Sequence, residues 1–263
     1  MKRRDLLRAV CCCLVVTVFA GMAMASGSSS STQESGSVTI NDNKETEATT
    51  TKAEAKAEFE ITKTTFVHYT NSIKKEEYSG IVEIKNTGST YIFLNDCTFD
   101  FEDDEGHLLQ SDKMISKGPD VIAPGEYGYF FNSGYIDDGV SMDKGINLVP
   151  NFTVEVAKKG KDALIDYEVS DIDLRDGDYG GLKVTGRVTN NTSEATNSID
   201  VKIIAVFKDS NGEILDIGYT YAEEMAAGGK TSFEITTIFG NEKVKAADVS
   251  EYKVYARGVS YNW

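Results

Sequence analysis

The fold is decided by the stretch CTFDFEDDEG, residues 97–106, and by a second stretch, VKIIAVFKDSNG, residues 201–212. In the first stretch, Cys97, Phe99 and Phe101 alternate with polar residues, which places the apolar side chains on one face of an extended chain. The inward positions of the second stretch are Val201, Ile203, Ala205 and Phe207. Each stretch ends in an Asp followed by a Gly three positions later, which is typical of a tight turn between antiparallel strands. The two stretches therefore predict two equivalent β-hairpins.

These hairpins belong to an internal repeat that covers the chain from Glu58 to Trp263. Five blocks recur in the same order: 59–62 with 167–170, 80–86 with 186–190, 101–106 with 207–212, 123–130 with 226–233, and 149–154 with 249–254. This alignment matches Phe130 with Phe233, and Phe152 with Tyr252. We therefore predict two consecutive domains with separate cores, residues 58–158 and 162–263, joined by a short connection and lying end to end.

The short alternating segments are separated by Gly, Asp and Asn turns, and the repeat shows little helical periodicity. This pattern is typical of antiparallel β-sandwiches. The predicted fold is all-β: two tandem immunoglobulin-like antiparallel β-sandwich domains that follow a signal peptide and a disordered linker.

The second copy, VTGRVTNN followed by AVFKDSNG and AAGGKTSF, resembles the bacterial FxLYD-type domain. The motif of that family falls on residues 99–103 and 205–209. Phe99 and Asp103 match it in the first copy, and only Asp209 matches literally in the second, where Phe207 replaces the Leu. The resemblance implies an immunoglobulin-like, non-catalytic module of exported proteins, with no active site to transfer.

The N-terminus predicts export. Residues 1–8 are basic, residues 9–25 are an apolar run, and Ala23 and Ala25 precede Ser26 as in a signal peptidase site, so residues 1–25 are interpreted as a signal peptide. An uncleaved anchor is the alternative, and Arg3 and Arg4 also allow a twin-arginine route. Residues 26–57 are rich in Ser, Thr and Glu with almost no large apolar residue, which predicts a disordered linker.

Charge narrows the function classes. The 263 residues contain 27 Lys and Arg against 42 Asp and Glu, a net charge of -15. A chain without a basic patch is not expected to bind nucleic acid, and nothing beyond the N-terminal segment predicts membrane insertion. We expect a secreted or extracytoplasmic protein associated with the cell envelope.

Few residues are suited to catalysis. The two histidines, His68 and His107, stand in no metal-ligand spacing, and His107 follows a turn glycine. After removal of the signal peptide Cys97 is the single thiol, and its alternation with Phe99 indicates a buried small hydrophobe rather than a nucleophile. The sequence therefore predicts no enzyme, no catalytic residue and no cofactor.

A cation site is one open hypothesis. Four carboxylates lie within eight residues, a density of hard oxygen donors that suits calcium: Asp171, Asp173, Asp176 and Asp178. However, Leu182 stands where an EF-hand loop would carry its final Glu, and structural turns are the alternative interpretation.

An aromatic stripe is the other hypothesis. With Phe130 inward, Tyr127, Tyr129 and Phe131 project from the opposite face of their strand, where the second copy has Lys230, Ser232 and Glu234. Such a stripe can bind a sugar or a partner protein, or it can pack under a loop or against the other domain.

From these observations we predict a non-catalytic exported binding or spacer module that acts through protein–protein interaction with an unidentified envelope or extracellular partner. A carbohydrate-binding module using the aromatic face and a calcium-dependent adhesive array are the alternatives.

Overall fold

A computed structural model describes residues 56–71, 73–178, 180–237 and 244–259, all within one compact unit that spans Lys52–Trp263. The described residues form β-strands in antiparallel sheets, so the predicted all-β fold is confirmed. Among these residues no helix has the length and apolar character needed to cross a membrane. The predicted signal peptide, and the linker as far as residue 55, lie outside the described residues.

Fourteen strands are described, eight before and six after a short 3-10 helix at Gly160–Ala163. The first half, as we call it here, contains β1 (Phe59–Thr70), β2 (Glu76–Asn86), β3 (Ile92–Glu102), β4 (Leu108–Asp112), β5 (Ser116–Gly118), β6 (Val121–Ile122), β7 (Tyr127–Tyr135) and β8 (Asn147–Val156). The second half contains β9 (Glu168–Asp176), β10 (Leu182–Thr189), β11 (Val201–Lys208), β12 (Ile214–Tyr221), β13 (Lys230–Thr236) and β14 (Glu251–Gly258).

Each half consists of two sheets. In the first half, one sheet has the order β1-β2-β7-β5, and in the other β3 pairs with β4, β6 and β8. In the second half, the orders are β13-β10-β9 and β12-β11-β14. The equivalent strands therefore pair in the same way in both halves, β2 with β7 as β10 with β13, and β3 with β8 as β11 with β14.

Each half also has its own hydrophobic core. Cys97, Phe99 and Phe101 are buried among first-half side chains, and Ala205 and Phe207 are buried among second-half side chains. The inward positions inferred from alternation are thus confirmed. Burial of apolar side chains away from water stabilises the folded state, so each core stabilises its own pair of sheets.

A buried asparagine recurs at the end of the second strand of each half. The Asn86 side chain donates to the carbonyls of Thr90 (2.7 Å) and Ile122 (3.0 Å) and accepts from the Gly88 amide. The Asn190 side chain donates to the carbonyl of Glu194 (2.7 Å), among others, and accepts from the Thr192 amide at 3.0 Å. Both asparagines are fully buried. Because both donors and the acceptor of the amide are used, each asparagine fixes the loop that follows its strand.

The predicted hairpin turns are also present in both halves. Asp103 Oδ1 accepts from the amides of Glu105 and His107, each at 2.9 Å, while Asp209 Oδ1 accepts from those of Asn211 and Glu213, each at 2.8 Å. The turn glycines, at residues 106 and 212, have φ of 82° and 74°, a conformation that glycine adopts without strain.

Strand registers correct parts of the repeat alignment. Val82 pairs with Phe130 while Gly186 pairs with Phe233, so Gly186 stands at the position of Val82 rather than that of Gly80. A Cβ at Gly186 would lie 2.6 Å from the Phe233 ring, which occupies the space that a side chain would need.

The match of Phe152 with Tyr252 is also wrong. Phe152 pairs with Cys97 and packs on the first core, whereas Tyr252 pairs with Phe207 and is 41% exposed. The position equivalent to Phe152 is held by Ala256, which pairs with Ile203.

Candidate functional site

The aromatic stripe of β7 lies between the two halves. Tyr129 and Phe131 are 2% and 6% exposed and pack with Ile204, Val206 and Tyr255 of the second half, and Tyr127 packs at the margin. The halves therefore contact each other sheet against sheet, and the prediction that they lie end to end is wrong. Two of the three rings are therefore covered by the second half, and Tyr127 alone of the stripe keeps part of its surface exposed.

A buried ion pair crosses this interface. The Lys208 ammonium lies 2.5 Å from Glu83 Oε2, and Glu83 is 2% exposed. Glu83 also accepts from the Tyr129 hydroxyl at 3.2 Å and from the Thr62 hydroxyl at 2.8 Å. Burial, with Tyr255 and Glu83 close by, raises the pKa of Tyr129 above its usual range. A buried carboxylate needs such partners, because an unpaired one costs several kcal/mol.

Arg257 forms a second connection. Its guanidinium lies 2.8 Å from Glu126 Oε2 in the first half and 2.7 Å from Asp166 in the connecting segment, and it donates to the Val121 carbonyl at 3.4 Å. The side chain is only 8% exposed. Since a guanidinium has several donors in a fixed plane, Arg257 can hold three groups at once.

The halves also approach each other closely at β5. The Lys202 ammonium donates to the Lys117 carbonyl at 2.6 Å, and burial lowers the pKa of Lys202. A Cβ at Gly118 would lie 2.1 Å from Ile204 Cδ1, so glycine permits this contact.

An open cleft of about 450 Å³ lies beside this interface. Its walls come from β2, β5 and β7 of the first half and from β12 and β13 of the second, and they are mostly hydroxyl, amide and aromatic side chains. The side chains that line it include Ser79, Phe131, Asn132, Asp216, Tyr219 and Thr236. The rings of Phe131 and Tyr219 meet edge to face with centroids 5.6 Å apart.

Asp216 is the unusual residue of this cleft. It is 1% exposed, and its Oδ1 accepts from the Ile217 amide at 2.8 Å, but no described residue donates to its Oδ2. The Thr237 hydroxyl accepts from the Leu182 amide at 2.9 Å and donates to the Leu182 carbonyl at 3.4 Å, and it also interacts with the Asp216 carboxyl, where it opposes the rise in pKa. Burial raises the pKa of Asp216 to about 7. A carboxyl of this kind in the wall of a cleft marks a candidate binding site.

The four carboxylates of the calcium hypothesis do not form a group of ligands. Asp171 lies 3.7 Å from Arg187, Asp178 lies 3.6 Å from Lys183, and Asp176 accepts from the Ala246 amide at 2.7 Å. The described residues contain one group of three metal-ligating side chains within 4.8 Å of one another, which is formed by Asp103, Glu105 and His107 instead.

That group is already satisfied by the chain. Asp103 holds the turn amides, which keeps its pKa at about 2, and lies 3.0 Å from His107 Nδ1. Glu105 is paired with the Lys144 ammonium at 2.9 Å. These contacts explain the group as part of a turn.

The remaining candidates for chemistry are placed as follows. The ring of His107 is 67% exposed, and His68 is exposed on β1, where its ring packs beside Phe66. Cys97 is buried, and burial raises the pKa of its thiol to about 12. A thiol with so high a pKa carries almost no thiolate at neutral pH, which is the nucleophilic form.

Sequence reasoning missed Asp216 and the interface face of β11. The signal for Asp216 was an acid within the apolar strand ILDIGYTY. The signal for β11 was that Ile204 and Val206 are apolar at outward positions, since a strand that is apolar on both faces is buried on both.

Comparison with known proteins adds little. No family model matches the chain, and no curated protein matches it. Among solved structures, the chain is similar to the crystal structure of red sea bream transglutaminase, with a TM-score of 0.23 and 12% sequence identity. The match covers 74% of this chain and 30% of that one. So low a TM-score transfers no property to this protein.

Proposed function

We propose that the protein is a non-catalytic exported module at the bacterial cell envelope, and that it binds a partner with two immunoglobulin-like sandwiches of the FxLYD type held as one rigid unit. The observation that carries this proposal is the interface between the halves. Two domains that moved independently on a flexible linker would keep their charged side chains in water. Here Lys208 of one half and Glu83 of the other form an ion pair that is largely shielded from water. Separating the halves would leave Tyr129, Phe131 and Tyr255 in water.

A rigid pair of sandwiches is suited to presenting a surface of constant shape. Binding loses less conformational entropy when the binding groups are already fixed, and the cleft takes its walls from both halves. Its shape therefore depends on the orientation that Arg257 and Lys208 maintain. Export is supported by the basic and apolar N-terminus followed by Ala23 and Ala25.

Fractionation of the producing cell tests the proposal. We expect the protein in the envelope fraction or the medium, with Ser26 as its first residue. The immobilised protein is then exposed to purified envelope glycans and envelope proteins, and we expect saturable binding of one of them that competes with free protein. A cytoplasmic full-length chain contradicts the export part. Saturable binding of none of these components contradicts the binding part and leaves a spacer.

A further inference from the structure

The cleft between β7 and β12 is chemically incomplete on one side. Oδ2 of Asp216 accepts no hydrogen bond from the described residues, although the residue is almost completely buried. A buried acceptor without a donor is costly, because it has left water without replacing the hydrogen bond that water gave. A ligand that brings an N–H group would supply the missing donor.

The charges in the wall of the cleft indicate the charge of the donor group that a ligand would bring. Asp216 is the one acidic or basic side chain among the residues that line the cleft. The Lys202 ammonium lies 4.5 Å from the Tyr219 ring centroid and 6.0 Å from that of Phe131, and it donates to the Lys117 carbonyl. A cation that approached Asp216 would meet a charge of opposite sign, while the Lys202 ammonium beside the two rings is held by the Lys117 carbonyl. Pairing with a cation offsets the cost of burying a carboxylate.

The shape of the cleft adds an apolar component. Phe131 and Tyr219 form an aromatic corner, and Ser79, Asn132 and Thr236 supply polar contacts around it. A volume of about 450 Å³ lies within the range of small-ligand sites. Aromatic faces also attract cations directly.

We propose that this cleft binds a primary amine carried on a short apolar or aromatic body, with the ammonium hydrogen-bonded to Asp216 and the body against Phe131 and Tyr219. This inference deepens the proposed binding function and rests on it, since it names the chemistry that the module recognises. Because Oδ2 is covered in the free protein, the carboxyl rotates toward the cleft when the amine arrives. The amine comes from one of two sources, a free small molecule or the lysine side chain of a partner protein.

Titration of the full chain with benzylamine, followed by NMR and calorimetry, tests the proposal. We expect saturable shifts at Asn132, Ile217 and Gly218, while benzyl alcohol and phenylacetate, which have the ring without the cation, leave them unchanged. Asp216→Asn keeps the size of the side chain and removes the charge, and should weaken benzylamine binding at least about tenfold. Asp138→Asn, which removes an exposed carboxylate on the first half, is the matched control and should leave binding unchanged.

A second variant keeps the test valid if Asp216→Asn does not fold. Ser133→Trp fills the cleft without changing the carboxyl and should abolish the shifts. Equal binding of benzylamine and benzyl alcohol, equal binding to wild type and Asp216→Asn, or no saturation at about 20 mM would each overturn the proposal.

A blocked Gly-Lys-Gly peptide distinguishes the two sources. Tighter binding of the peptide than of benzylamine assigns the cleft to a lysine of a partner protein, and tighter binding of benzylamine assigns it to a free amine. The titration uses purified protein in buffer, so its outcome is separate from that of the fractionation. If benzylamine binds but no envelope component does, the proposed function is contradicted, whereas the proposed amine site is supported.

Discussion

The outer faces of β7 and β13 occupy equivalent positions and have different surroundings. On β7, Tyr129 and Phe131 are buried against the second half, while on β13 the equivalent residues, Ser232 and Glu234, are exposed. In the other sheet of each half the difference is reversed, with the apolar outer face in the second half and the polar one in the first. Ile204 and Val206 on β11 are buried at the interface, whereas the equivalent positions on β3 carry Thr98 and Asp100.

This difference teaches that the repeat carries two kinds of information. Positions that are alike in both halves, such as Asn86 and Asn190, build each half. Positions that differ join the halves through non-equivalent faces, so the contact is heterologous. A heterologous contact can continue indefinitely if both partners present both faces. Here the apolar outer faces of β7 and β11 are used in the contact between the halves, and the outer positions compared on β3 and β13 are polar.

The largest expected effect comes from the shared core positions. Phe101→Ala and Phe207→Ala each remove a fully buried ring, and each should lower the free energy of unfolding by about 4 kcal/mol because a cavity replaces the ring. Urea unfolding of both variants measures the loss. A loss below about 1 kcal/mol in either variant would show that this half does not depend on its own core.

The unequal face should give the next effect. Tyr129→Ala should destabilise the protein by about 3 kcal/mol, because it removes a buried ring and one of the hydrogen bonds of Glu83. Ser232→Ala changes the equivalent position on β13 and should alter stability by less than about 0.5 kcal/mol. Thermal and urea unfolding of the two variants compare the faces. Equal effects would mean that the contact between the halves contributes no stability.

The equivalent asparagines test positions at which the two halves are alike. Asn86→Ala and Asn190→Ala should each cost about 2 kcal/mol, because each leaves buried backbone groups without a partner. The two losses should be similar in urea unfolding. A much smaller loss for Asn190 would show that its loop is fixed by other contacts.

Asp216 breaks the likeness of the halves, because its equivalent on β4 is Gln110. Burial raises its pKa in the folded protein to about 7, above the value of a free carboxyl. The folded state therefore holds this proton more tightly, so this stabilisation is present below about pH 4 and is lost as the pH rises through about 7. Asp216→Asn should gain stability relative to wild type over that range, as measured by Tm at a series of pH values. A constant difference in Tm would contradict the shifted pKa.

Calcium should have the smallest effect. Because Asp171, Asp176 and Asp178 each have a partner in the chain, adding millimolar calcium after chelation should change Tm by less than about 1 °C. Asp173→Asn should behave as wild type in the same assay. A rise of several degrees that Asp173→Asn abolishes would restore the calcium site.

Much of the fold was readable because period-two patterns report which side chains leave water. Alternation identified Phe99, Phe101 and Phe207 as core residues, and the Asp and Gly spacing identified both turns. The arrangement of the halves was not readable in the same way, since it depends on which outer faces match. Such matching involves residues as distant in sequence as Glu126 and Arg257. A strand slip of any even number of residues keeps the alternation intact, which is why a four-residue misalignment of Tyr252 leaves the pattern unchanged.

The candidate site was harder to predict than the fold. The sequence marks the aromatic stripe of β7 as unusual, and packing against the other domain is one of the alternatives that it predicts. The cleft beside it could not be seen, because its walls come from strands of both halves. The role of Asp216 could not be predicted for a related reason. Whether an acidic residue in a strand is buried or exposed depends on neighbours that are distant in the sequence.

The late position of Tyr255 and Arg257 bears on how the protein is made. A ribosome completes the first half, through Val156, well before either residue has been added. The ring of Tyr129 then has no cover, and Glu83 has no lysine beside it until Lys208 is synthesised. A nascent chain therefore displays an aromatic surface during elongation. Chaperones that bind incomplete chains could bind this aromatic surface during elongation, and the surface would be covered once β14 packs against it.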